Sequence, residues 1–349
     1  MTRGNMTREE PATRENPLIS RRRWVAAAGA AVSLPAAGME GCARLTQGRA
    51  WEPVSIHRVK EYSDDLYGLI RTILAEHRVG VVGKRVVLKP NLVEFDERTV
   101  INTNPKLVHA ALEAFRAAGA ADVRIAEGPG HRRLTLDLAD AGGYFATIPQ
   151  FESVFTDLNL DDVTSTPLRA PKSRLSSLYL PNTVLGCDLL VSMPKLKTHH
   201  WVGATLSMKN LFGVVPGAIY GWPKNVLHWA GIHECIADLH ALAPKTFAIV
   251  DGIVGMEGNG PIQGTPRASG VVVAGASPVA VDATCCRIMG LDPRKIGYLQ
   301  LAAGEAQLGE DRMPQIGESI ASVAARFQVL PELEGLRLTD SSGHPVGPG

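Results

Sequence analysis

Within "PKLKTHHWVGATLSMKNLFG", residues 194–213, the lysines Lys195, Lys197 and Lys209 and the adjacent His199 and His200 surround a short apolar stretch. Ammonium groups bind anions, and one whose apolar surroundings lower its pKa becomes a nucleophile or a point of covalent attachment. "SMKNLFG" sets Lys209 and Asn210 in such surroundings. Imidazoles move protons near neutral pH or ligate metals. In an extended strand successive side chains alternate faces, so one at most of His199 and His200 is expected to meet a given ligand.

Other groups suited to chemistry lie at a distance along the chain. Lys89 and Asn91 flank Pro90, as an anion clamp or a rigid strand exit. In "EGPGHRR", residues 127–133, Gly128 and Gly130 let backbone N–H groups approach an anion closely. His131 could shuttle a proton there, and Arg132 adds positive charge. Asp251, Glu257 and Asn259 have a spacing that could give oxygen ligands to a hard cation, although no EF-hand pattern is present. His228 stands near the start of a predicted helix as a metal-ligand candidate. His233 and His240, about 10 Å apart along a helix axis, cannot share one metal and read as core or interface side chains. The chain has no G-x-S-x-G elbow, Walker A loop or H-E-x-x-H, so serine hydrolase, triphosphatase and zinc protease readings lack their signals.

These residues need a scaffold that brings them together. "RVVL" (85–88), "VRIA" (123–126), "LLVSM" (189–193), "FAIV" (247–250) and "VVVA" (271–274) have the apolar character of strands covered on both faces. Helical spacing predicts helices at 105–118, capped by Asn104, and at 226–242 and 278–289. The alternation predicts an α/β fold: a largely parallel sheet with helices on both faces and the motif loops at the carboxyl edge of the strands. Ligands of open α/β sheets bind at that edge. The five loops would converge there with a positive local balance, so a small anionic molecule or a phosphate-bearing cofactor is the expected occupant. Asp282, early in the third helix, is explained by the helix N-terminus and also faces that edge.

The whole chain has 349 residues, 45% of them hydrophobic, and a net charge of +1, which suits an enzyme-sized globular protein and offers no basic field for nucleic acid. "SRRRWVAAAGAAVSLPAAGMEGC" reads as a twin-arginine export leader over residues 1–45, with the export machinery as partner and a periplasmic or exported destination. Its apolar run is too short and too weakly apolar for a membrane span. Met39 and Glu40 make Cys42 a poor lipid-anchoring site. The remaining cysteines, Cys187, Cys235, Cys285 and Cys286, show no Cys-x-x-Cys spacing, which argues against a disulfide scaffold and an iron–sulfur cluster. An α/β domain over 50–322, in one or two lobes, and a partly disordered tail over 323–349 complete the expected organisation.

"VVLKPNLV", "EGPGHRR", "MPKLKTHHWVGATLSMKNLFG", "DGIVGMEGNGP" and "SPVAVDAT" together resemble the uncharacterised family called domain of unknown function 362, from about Val86 to Pro293. Relatives often carry a twin-arginine leader, and some add a ferredoxin-like domain whose cysteines this chain lacks. The order of His131, His199, Lys209 and His228 also resembles that of the lactate racemase family, which uses a nickel-pincer nucleotide. That resemblance implies Lys209 as the cofactor attachment point, His228 or His200 as a nickel ligand, and His131 and His199 as an acid/base pair. The combined reading is an exported enzyme of isomerase or oxidoreductase type. Its competitors are a hydride-transferring racemase of 2-hydroxy acids and a noncatalytic binding or cofactor-handling protein.

Overall fold

The computed structural model describes residues 51–131 and 134–339, so the leader, Cys42 and Arg132 lie outside the described residues. Twelve strands are present among them: β1 (Val54–Arg58), β2 (Arg85–Pro90), β3 (Asp122–Glu127), β4 (Phe155–Asp157), β5 (Val163–Pro167), β6 (Ser177–Pro181), β7 (Leu189–Met193), β8 (Lys195–His199), β9 (Gly203–Thr205), β10 (Thr246–Glu257), β11 (Thr265–Gly275) and β12 (Gln315–Gly317). The main sheet runs β12-β1-β11-β10-β7-β2-β3-β4, with β8 on β10 and β9 on β8, while β5 and β6 pair apart from it. β10, β7, β2, β3 and β4 are mutually parallel.

The apolar strands bury both faces, as alternation requires. Val87, Leu190, Val271 and Val273 face one core, together with the helices Ile232–Leu242 and Pro278–Ile288. Val86, Leu88, Leu189, Val191 and Val272 face the other, under the helices Leu66–Glu76 and Pro105–Ala117. The Pro105–Ala117 helix starts where its sequence directs: the Asn104 side chain accepts the Lys106 N–H and Pro105 occupies the first turn. Fully burying each such valine or leucine contributes about 1.5–3 kcal/mol, so the double-sided core fixes the strand ends that carry the polar residues.

Four expectations change. β11 runs antiparallel to β10 and β1, so the "GASP" turn leaves the sheet at the opposite edge from the other motifs. The stretch after β7 is not a loop: beyond Pro194 it continues as β8, parallel to β10 with Lys195 opposite Asp251. The helix expected over 226–242 breaks into Asn225–Trp229 and Ile232–Leu242 around Gly231, whose φ of 110° is open to glycine. Residues 323–339 are part of the fold, because Val323 and Phe327 are apolar enough to bury and the Gln328 N–H donates to Glu257 at 3.0 Å. No helix among the described residues is long and apolar enough to cross a membrane.

Candidate functional site

A cavity of about 760 Å³ opens at the carboxyl edge of β2, β3 and β8. Its wall takes Asn91–Glu94 from beyond β2, Gly130 and His131 from beyond β3, and Lys197, His199, His200 and Trp201 from the end of β8. Lys209 and Asn210 come from the short Ser207–Asn210 helix, Pro223, Lys224 and His228 from the start and body of the Asn225–Trp229 helix, and Asn259, Pro261, Ile262 and Gln263 from beyond β10. Leu330 and Glu332 close it from the C-terminal segment.

Behind the cavity lies a buried polar network. Lys89 donates to Glu127 Oε2 at 2.7 Å, to Asn210 Oδ1 at 3.1 Å and to the Pro90 carbonyl at 3.0 Å. Glu127 also accepts the N–H groups of Leu92 and Gly128. Gly213 is required beside this pair, since a Cβ there would collide with the Glu127 carboxylate and the Lys89 ammonium. Asn210 donates in turn to the Lys89 carbonyl and to Ser192 Oγ, which joins β2, β7 and the Ser207–Asn210 helix through one amide. The first turn of that helix is held by Asp282, whose carboxylate accepts the N–H groups of Ser207 at 2.8 Å and Met208 at 3.0 Å. Burial pushes the Asp282 carboxyl up to about 7.

The lysines around the cavity differ in what they touch. Lys197 donates to the carbonyls of Ile101 at 2.9 Å and Pro261 at 3.2 Å. Lys224 donates at 2.6 Å to the carbonyls of Gly128 and Phe212. Neither meets a carboxylate within ion-pair distance among the described residues. Burial drives Lys197 well below the usual ammonium range and Lys224 down to about 7. Lys209 is half-buried, lies 3.9 Å above the centre of the Phe212 ring, and is brought down to about 7 by burial and then by the neighbouring Lys89. The deep wall thus sets Lys197, Lys209 and Lys224 beside one buried carboxylate, Glu127, which is paired with Lys89, while Glu94 and Glu332 lie at more exposed positions.

The histidine tautomers follow from their partners. A carbonyl only accepts, so Nδ1 of His200, 2.7 Å from the Gly260 carbonyl, and Nδ1 of His228, 3.0 Å from the Lys224 carbonyl, carry the proton. Each neutral ring then presents a lone pair on Nε2. His199 is the reverse: its Nδ1 accepts the Trp201 N–H at 3.1 Å, leaving the proton on Nε2. Burial, then Lys209, holds His199 well below its ordinary pKa and lowers His228 as well. His131 is lowered by burial, with Glu94 opposing and Lys209 adding to the shift.

Several placements depart from the sequence reading. His199 and His200 both line the cavity, with ring centres 4.9 Å apart, because β8 ends at His199 and alternation ends with it. Lys195 does not line it. Its ammonium lies 2.6 Å from Asp251 and 2.9 Å from the Tyr62 hydroxyl, which itself donates to Asp251. Asp251, Glu257 and Asn259 do not form one cation site: Glu257 faces Arg267 and the Gln328 N–H, while Asn259 lines the cavity and bonds Gln263. The Gly128 N–H is engaged by the Gly213 carbonyl and Glu127, so it offers nothing to an anion. Lys89 stands behind the wall, paired with Glu127. Sequence reasoning passed over Lys224, Trp201, Leu330 and Glu332. The positive φ of Lys224, 69°, is a strained backbone state that its two carbonyl bonds hold in place.

The profile of the family described as Domain of unknown function (DUF362) matches residues 86–287, which takes in all these wall residues except Leu330 and Glu332. The chain belongs to this family. Thylakoid-associated protein sll1697 of Synechocystis sp. (strain ATCC 27184 / PCC 6803 / Kazusa) is 29% identical over 234 residues, 65% of this chain and 68% of that protein. Among solved structures, the lactate racemase apoprotein from Thermoanaerobacterium thermosaccharolyticum aligns with a TM-score of 0.42 and 13% identity, over 69% of this chain and 58% of that one. This DUF362 member thus spans less than two thirds of the racemase chain.

Proposed function

We propose that this chain is an enzyme that binds a small anion-bearing molecule in the cavity and moves protons on it. The observation that carries the reading is that Lys197, Lys209 and Lys224 converge on one cavity with no carboxylate paired to any of them among the described residues. A buried ammonium without a counter-ion is costly, and a ligand carboxylate or phosphate would offset that cost. Apolar groups of Leu92, Trp201, Phe212 and Ile262 would cover the rest of the ligand, as in other small-molecule sites. His200 and His228 supply bases at Nε2 and His199 a donor. Residues 20–42, read as a twin-arginine leader from their sequence, support an exported location for this chemistry.

Titrating the full chain with sulfate, lactate and pyruvate, by calorimetry and thermal unfolding, tests the binding step. Saturable stabilisation that Lys197→Met weakens is the expected result, and no response to any of the three overturns the reading. Lactate and malate in deuterated water test the proton step: loss of the carbon-bound hydrogen signal reports proton transfer, whereas binding with neither exchange nor racemisation reports a noncatalytic binding protein.

A second reading, hydride transfer at a nickel-pincer cofactor, draws on the donor set. Among the described residues no three His, Cys, Asp or Glu side chains gather as a metal-binding group, so these residues alone do not complete a coordination shell. The Nε2 lone pairs of His200 and His228 fit a metal whose other positions an organic ligand fills. Such a group would accept and return a hydride, while the lysines hold the substrate carboxylate. Nickel analysis with intact mass on protein from its native source decides it, through stoichiometric metal together with a mass adduct at Lys209.

A further inference from the structure

Four lysines surround the deep end of the cavity, and three of them are committed. Lys89, Lys197 and Lys224 are no more than 2% exposed, and each donates to two or three fixed oxygens of the protein. Lys209 differs on both counts. Part of its side chain reaches the cavity surface, and its ammonium faces the Phe212 ring with no hydrogen-bond acceptor among the described residues. An aromatic face compensates an ammonium less than an oxygen does, so the neutral amine is the form this position disfavours least.

We propose that Lys209 forms an imine with the carbonyl carbon of an anionic aldehyde or 2-oxo acid bound in this cavity. The inference rests on the anion site proposed above. The neutral Lys209 amine attacks the carbonyl carbon, forming the C–N bond as the carbonyl π bond breaks, and gives a carbinolamine. The former carbonyl oxygen then leaves as water, taking two protons that came from nitrogen, as C=N closes; nothing is oxidised or reduced. His200 and His228, each with an Nε2 lone pair, line the same cavity and receive the nitrogen protons. His200 and His228, protonated in that transfer, return the protons to the departing oxygen, to which the His199 Nε2–H gives a hydrogen bond. Lys197 and Lys224 each bond two carbonyls, so the third N–H of each ammonium, which a bound anion favours, is left for the carboxylate or phosphate beside the reacting carbon. With the Lys209 amine held at about 7, a sizeable share of it is neutral at physiological pH.

The test is trapping of the full chain with pyruvate, and separately glyoxylate, in the presence of cyanoborohydride, followed by peptide mass mapping. One reduced adduct at Lys209, suppressed by sulfate and absent in Lys209→Arg, is the expected result. Adducts confined to exposed lysines such as Lys60 and Lys106, with Lys209 unmodified, overturn the proposal. Site mapping on the unsubstituted protein does not depend on the variant folding. If sulfate still stabilises the protein while Lys209 stays unmodified, the imine fails and the anion site stands. If neither sulfate binding nor an adduct is seen, both fail together.

Discussion

Lys195 and Lys197 stand two residues apart on β8, on the same face by strand alternation, and both are buried. Lys195 meets a carboxylate and a phenol, Asp251 and Tyr62, and its charge is satisfied within the fold. Lys197 meets two backbone carbonyls and the cavity, and its charge is not balanced by any side chain beside it. The difference teaches that burial of an ammonium is no sign of function by itself. What separates a structural lysine from a binding lysine is whether the protein or a ligand supplies the negative charge.

The comparison breaks most sharply at Asp251. Asp251→Ala strands Lys195 without its partner and also removes the acceptor of the Asn104 N–H. We expect a loss of about 3–5 kcal/mol in urea unfolding, most of it recovered when Lys195→Met is added. A single variant as stable as the parent would show that the pair does not hold β8 to β10. Lys197→Met is the opposite case. Stability should stay level or rise, while sulfate affinity falls at least tenfold, about 1.4 kcal/mol. Calorimetry showing unchanged affinity would return Lys197 to a structural role.

The same contrast has a smaller expression in pH. Lys209 and Lys224, both brought to about 7 by burial, lose positive charge as pH rises through that value. Sulfate, which remains a dianion over this range, should bind several-fold more weakly at pH 8.5 than at pH 6. Lys209→Met should flatten part of that slope and leave the share carried by Lys224. A pH-independent affinity would mean that neither ammonium touches the anion.

The sheet was legible because its strands are apolar on both faces, a pattern that few other structures produce. The helix at Pro105–Ala117 was legible from Asn104 and Pro105. The site was legible as a collection of motifs at one edge, and less so in detail, because detail depends on partners far away in sequence. Nothing near Lys195 announces Tyr62, 133 residues away, and nothing near His200 announces the Gly260 carbonyl, 60 residues away. Lys224 gave no signal of its own in "YGWPKN", since its significance lies in reaching the Gly128 and Phe212 carbonyls. The packing of the C-terminal segment up to residue 339 was not legible, because its turn-forming residues conceal the two that anchor it, Phe327 and Arg337.

Asp282 extends the comparison to buried acids and yields the smallest effect. Asp251 is matched by Lys195, whereas Asp282 is matched by backbone N–H groups and the Ser207 hydroxyl, with no cation bonded to it among the described residues. Its carboxyl titrates at about 7 in the fold and at about 3.9 in the unfolded chain. The folded state therefore holds a proton that the unfolded chain has released across this window. The stability this contributes is complete below pH 4, declines as pH rises towards 7, and is gone above it. Asp282→Asn removes the titration while preserving the shape, at a cost of about 1 kcal/mol for the hydrogen bond that an amide cannot accept. Measured as the difference between parent and variant, the deficit should be largest at pH 4 and below, and shrink or reverse by pH 8. A deficit that grows with pH would mean that Asp282 is ionised in the fold and holds the Lys209 helix as a charged cap.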